Sequence, residues 1–140
     1  MGLDNHIYIR DRQTKELVCK EDIIDKEYSQ AYFPMLLDTD ICYWRKFWSF
    51  RNDVVFDILR DGNYHVELVF SDLYHIVNKL ERYMDKEYYE SKKNCGTIWD
   101  WREYLLTIVK TLTNLRLLID DIQNERIDLS KYEIVWEDSY

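Results

Sequence analysis

The chain is 140 residues long, 46% hydrophobic, 33% charged and 16% aromatic, which is enough apolar mass to close the core of one domain and excludes a disordered chain. Three Gly and one Pro are too few turn-formers for an all-β sandwich or barrel, and no apolar run reaches the roughly 18 residues of a membrane span. The net charge of −8 repels nucleic-acid backbones and the N-terminus lacks a secretion pattern, so the expectation is a cytoplasmic protein without direct nucleic-acid or membrane contact.

In chain order, His6-Ile7-Tyr8-Ile9-Arg10 and Glu16-Leu17-Val18-Cys19 flank the polar run Asp11 to Lys15, which predicts an N-terminal hairpin. Residues 20–39 hold Pro34 and the aromatics Tyr28, Tyr32 and Phe33, and read as a short helix or an ordered connector. From Asp40 as N-cap to Arg60, ahead of Gly62, the pattern is helical: Tyr43, Trp44, Phe47, Trp48, Phe50, Val54, Val55, Ile58 and Leu59 share one broad arc. A second helix is expected over His65 to Tyr89 from Val66, Val69, Phe70, Leu73, Val77, Leu80 and Met84. A third, capped by Thr97 and running to Asn124, carries Ile98, Trp101, Leu105, Ile108, Leu112, Leu115, Ile119 and Ile122 at alternating 3 and 4 spacing.

The matched seams of these two long helices predict an antiparallel pair closed by a loop at Cys95-Gly96. Trp99, Leu106 and Leu117 lie across the third helix from its seam and predict a second contact, read as a homodimer face. Tyr132, Ile134 and Trp136 alternate with Glu133, Val135 and Glu137 as in a strand, and pairing with the hairpin would make a small sheet. The expected fold class is α+β, mainly α, with three helices including the long pair, an N-terminal hairpin and a C-terminal strand, all in one domain spanning residues 1–140.

Signals of catalysis are sparse. Nucleotide-binding, serine-hydrolase and zinc-protease motifs are absent, and Cys19, Cys42 and Cys95 lie far apart with no ligand-spaced His, so no catalytic residue, cofactor or metal site is expected. Arg60-Asp61-Gly62-Asn63-Tyr64-His65 resembles the Arg-x4-His motif of HEPN ribonucleases, which implies a third-ranked reading with Arg60 and His65 acting on a scissile phosphate. His6 and His75 do not cluster. Asp120, Asp121 and Glu125 read as a solvated helix end rather than a cation site.

Arg51 falls in the middle of the apolar arc of the expected first helix, where a guanidinium needs a carboxylate, carbonyls or a ring face. An internal ion pair satisfies that need. So does a surface on which Tyr43, Trp44, Arg45, Trp48 and Arg51 together bind a partner, since Trp, Tyr and Arg concentrate binding energy.

The run Tyr43-Trp44-Arg45-Lys46, with Phe50-Arg51-Asn52 after it and Thr111, Leu115 and Ile119 later, resembles a family of small uncharacterised bacteriophage and prophage proteins with a Y-W-R-K opening. The chain departs from that pattern at Phe47, Trp48 and Arg51. The resemblance implies a mobile-element origin in a bacterial host cell. With it, the first functional reading is a non-enzymatic accessory protein that binds a host or phage protein, as anti-CRISPR-like inhibitors of defence complexes do. The alternative is a helical module that holds a nucleotide or other small anion between aromatic rings and Arg45, Lys46 or Arg51.

Overall fold

The computed structural model describes residues 3–59, 65–92 and 99–139. Its centre is strand β1, Asp4–Asp11, whose hydrogen-bonding edges are both occupied. On one edge runs β5, Tyr132–Ser139, in an eight-residue antiparallel register from Asp4↔Ser139 to Asp11↔Tyr132. The other edge is shared by the short β2, Leu17–Val18, and by β3, Asp40–Arg45, and β4, His65–Leu68, extends the sheet beyond β5.

Strand alternation gives this sheet two unlike faces. Ile7, Ile9, Trp44, Leu68, Ile134 and Trp136 belong to one apolar core with residues of the helices. Those helices are α2, Trp48–Val54, continued by a π-helical turn over Val55–Leu59; α3, Phe70–Arg82; α4, Lys86–Lys92; and α5, Trp101–Gln123. A single turn, α1, Lys20–Ile23, lies between β2 and β3. The architecture is therefore a two-layer sandwich of helices on an antiparallel sheet.

This overturns the expected three helices with a hairpin and one C-terminal strand. Among the described residues there are five helices, four of them of seven residues or more, and a five-stranded antiparallel sheet, with 46% helix and 22% strand. The expected helix from Asp40 to Arg60 is split. Residues 40–45 form β3, and the chain turns at Lys46, whose φ of 55° is left-handed and whose N–H donates to the Leu3 carbonyl at 2.6 Å. Helix α2 starts only at Trp48. Asp40 caps nothing. It pairs across from Tyr8 in the sheet.

The expected helix from His65 to Tyr89 is likewise three elements. His65–Leu68 pairs with β5, and the Val69 N–H then donates to the Asp72 carboxylate at 2.9 Å to open α3. Tyr83 to Asp85 form a turn before α4. Helices α3 and α5 run antiparallel: the Trp101 indole donates to the Tyr83 carbonyl at one end, and Gln123 donates to the Tyr74 hydroxyl at the other. The caps expected at Gly62 and Thr97, seam residue Ile98 and the Cys95-Gly96 loop lie outside the described residues.

Candidate functional site

The sheet face turned away from the helices carries most of the polar chemistry. Register places His65, Glu137, His6 and Tyr43 in one row across four strands, with Glu67, Val135 and Tyr8 in the next and Glu133 and Arg10 in the third. Each charge in these rows meets an opposite one. Glu137 pairs with His65 and accepts from the Tyr8 hydroxyl, while the buried Glu133 carboxylate gathers Arg10, Arg12 at 3.4 Å and Lys15 at 3.0 Å. Arg12 reaches on to Glu67 at 2.5 Å. His6 packs against the Tyr43 ring at 5.0 Å and holds both Asp40 oxygens at 3.0 and 3.1 Å through Nδ1.

Burial acts to lower the pKa of His6, but the hydrogen bond and charge of Asp40, with Glu137 and Asp4 behind them, outweigh it and leave the imidazole above its ordinary value. A raised folded-state pKa contributes stability that is complete below the unfolded value, about 6.5, and is lost as pH rises through the folded one. Urea titrations on both sides of that window are therefore expected to show a stability loss with rising pH that His6→Gln removes. An unchanged pH slope in His6→Gln would place the titration elsewhere.

Neither cysteine among the described residues is an activated nucleophile. Burial, and then Asp22, Glu21 and Asp38, raise the Cys19 thiol, and burial, then Asp40, raises that of Cys42, so both resist forming the reactive thiolate. His65 belongs to strand β4 and is engaged by Glu137, while its proposed ribonuclease companion Arg60 lies outside the described residues. His75 is exposed on α3.

Two concavities lie on either side of the segment between α1 and β3. A cleft of about 420 Å³ is lined by Cys19, Lys20, Glu21 and Asp22 on one wall and by Tyr32 to Met35 and Leu37 to Ile41 on the other. A groove of about 300 Å³ lies between Pro34, Met35, Leu36 and Tyr43 and the α5 residues Thr107 and Lys110. The segment is held in place from beneath. The Asn114 amide donates to the Phe33 and Ile41 carbonyls and accepts the Phe33 N–H, all within 2.9 Å, and buried Asp121 accepts from Tyr32, Gln30 and Arg126. Lys20 is buried, donates to the Gln30 carbonyl at 2.5 Å and sits 4.2 Å from the centre of the Tyr32 ring.

No clamping role is expected for any of these residues from the sequence, although Asn114 and Asp121 carry a signal. Each is a polar side chain among the apolar residues of a long helix, the same kind of anomaly that draws attention to Arg51. Asp120 and Asp121, read as a solvated helix end, accept together from Gln30 and Arg126, and Asp121 is fully buried.

The residues expected to form one partner-binding arc are dispersed, because the helix that would have aligned them does not form. Trp44 is fully buried, with its indole N–H donated to Thr111 Oγ1 at 3.0 Å, so it is a core residue rather than a surface anchor. Tyr43 faces the opposite side of the sheet with its hydroxyl donated to Asp4, and Arg45 is exposed at the end of β3. Trp48 is half-buried at the start of α2, and Arg51 forms an ion pair with the buried Asp138 at 2.7 Å. Of the residues expected at a dimer face, Trp99 stacks on Tyr104 and donates to the Arg45 carbonyl, Leu117 is half-buried and Leu106 is 61% exposed.

The geometry defines a two-layer α/β sandwich with a self-paired polar sheet face and a rigidly held, apolar-lined segment beside β3. No protein-family model, curated protein or solved structure matches this chain. No helix among the described residues is long and apolar enough to cross a membrane.

Proposed function

We propose that this chain is a non-enzymatic accessory protein of bacteriophage or prophage origin that acts in the host cytoplasm by binding another protein, with inhibition of a defence complex as its outcome. The supporting observation is the segment 33–37. Phe33, Leu36 and Leu37 are exposed although Asn114 fixes the backbone beside them, Leu36 borders a groove with Thr107 and Lys110 of α5, and the same helix exposes Leu106 and Val109. A small domain that leaves such side chains in water and holds them rigidly gains no core stability from them, and contiguous exposed apolar residues mark interaction surfaces. The mobile-element origin is supported by the Tyr43-Trp44-Arg45-Lys46 resemblance, whose Trp44 meets its later Thr111 in the core.

The small-anion reading receives less support. Arg51 borders a groove with Asn52, Val55 and Phe56 that neither Arg45 nor Lys46 lines, and the cleft beside α1 presents carboxylates.

Affinity capture from bacterial lysate, read by mass spectrometry, tests the proposal. The wild-type chain is expected to retain a defined protein, and Leu36→Asp with Leu37→Asp is expected to lose it by about tenfold or more at unchanged thermal unfolding, since truncated anchors commonly cost about 2 kcal/mol. Equal retention by both forms would remove the segment from the interface.

A further inference from the structure

We propose that the cleft between α1 and the 32–41 segment seats a basic, amphipathic stretch of the partner protein, one that offers a lysine or arginine beside an apolar side chain. The inference rests on the protein-binding reading above and gives it a location and a partner chemistry.

The 32–41 wall of the cleft carries the apolar side chains of Phe33, Pro34, Met35 and Leu37. Phe33 is 41% and Leu37 49% exposed at its rim. Its exposed carboxylates come from two separate stretches of chain, Glu21 and Asp22 on the α1 wall and Asp38 next to Leu37 on the other. Their convergence has an electrostatic signature, because all three act on the thiol of Cys19, after burial itself.

The cation already in the cleft, Lys20, pairs with Glu21 and leaves the other two carboxylates to water. Lys20 is buried against Tyr32 and Gln30 and comes only within 3.5 Å of Glu21, while Asp22 and Asp38 have no ion pair among the described residues. The fourth carboxylate, Asp40, is spent on His6 and the Leu37 N–H. Lys110 lies 5.9 Å from the centre of the Phe33 ring and does not line the cleft.

The exposed apolar rim and the carboxylates of Asp22 and Asp38 thus face water side by side, and one type of occupant engages both. An apolar side chain covers Phe33 and Leu37 while a neighbouring ammonium or guanidinium meets Asp22 and Asp38. Nucleic acid and small anions are repelled by the same carboxylates. The Asn114 and Asp121 clamps fix the apolar wall beforehand, which lowers the ordering cost of binding.

The test uses a fluorescein-labelled lysine–leucine peptide and fluorescence anisotropy near physiological salt, about 0.15 M, where long-range attraction is screened. Four forms are compared: wild type, the cleft variant Glu21→Gln with Asp22→Asn and Asp38→Asn, a control of equal charge change with Glu87→Gln, Glu90→Gln and Glu103→Gln, and the single variant Leu37→Ser. The dissociation constant is expected to rise about tenfold or more in the cleft variant and less than about twofold in the control. Leu37→Ser, with every charge retained, is expected to weaken binding as well.

Equal weakening in the two triple variants would show attraction by net charge alone and overturn the proposal. So would the absence of binding to wild type at about 1 mM protein, a limit weaker than any specific interface needs. A lysate protein captured equally by both triple variants would keep protein binding and remove the cleft from it. Cleft-specific peptide binding with no captured protein would uphold the cleft and overturn the cellular reading.

Discussion

Replacing Asp138 with alanine is expected to destabilise the fold by about 3–5 kcal/mol, the cost of removing one side of a buried, hydrogen-bonded ion pair. The Asp138 side chain is fully buried, and its two oxygens accept from Arg51 Nε at 2.9 Å, Arg51 Nη2 at 2.7 Å, Trp136 Nε1 at 3.0 Å and the Asn5 amide. The substitution removes one shared acceptor from a guanidinium, an indole N–H and an amide at once, beside the packed rings of Trp136, Phe50 and Trp44. Urea denaturation of Asp138→Ala, Arg51→Met and the double variant Arg51→Met with Asp138→Leu checks this. The double variant is expected to cost less than Asp138→Ala alone, because it removes both charges and refills their volume. A loss below about 1 kcal/mol for Asp138→Ala, the range of an ordinary hydrogen bond, would show that the network is replaceable. This pair also bears on function, since any loss of partner binding in Arg51 variants must first be separated from loss of folding.

The second large effect is expected at Leu112, in the middle of α5. It is 1% exposed and belongs to the core that joins α5 to α3 and the sheet, so Leu112→Ala is expected to cost about 2–5 kcal/mol through lost burial and the cavity left behind. Leu106 on the same helix is 61% exposed, and Leu106→Ala is expected to stay within about 0.5 kcal/mol. Chemical denaturation of the two variants in parallel separates packing from helix propensity, because both make the same change in the same helix. Equal losses would mean that the two sides of α5 are buried alike.

Helix α5 and strand β5 were legible because their evidence is local and repeated. Apolar residues from Trp101 to Ile122 recur over a helix long enough for only one period to fit, and Tyr132, Ile134 and Trp136 alternate with Glu133, Val135 and Glu137 in a run too short for a helical face. The turn between the first two strands was legible in its polar residues, since Asp11 accepts the N–H groups of Gln13 and Thr14 in a local side-chain turn. Composition limited the class, through the small supply of turn residues and the acidic charge.

Strands β3 and β4 were not legible, and the reason is physical. Ile41 to Arg45 and His65 to Leu68 are short runs whose apolar residues fit a helical arc as well as an alternating strand. Their choice was made by partners far along the chain, β1 for one and β5 for the other, through register that no local window contains. The break at Lys46 is invisible for a related reason: a left-handed turn is usually marked by Gly or Asn, and here the hydrogen bond to Leu3 holds a lysine in it. Once that turn forms, Trp44 goes to the core and Tyr43 to the opposite face, so the arc that would have joined them with Arg51 ceases to exist. Arg51's need for a partner is a property of the sequence, because a guanidinium among apolar residues must be compensated; that the partner is Asp138, 87 residues away, was decided only when β5 closed against β1. The cleft has the same origin. Glu21, Asp22, Phe33, Leu37 and Asp38 are unremarkable in the sequence, and they become a surface only because Asn114 and Asp121 of α5 pull the intervening segment into place.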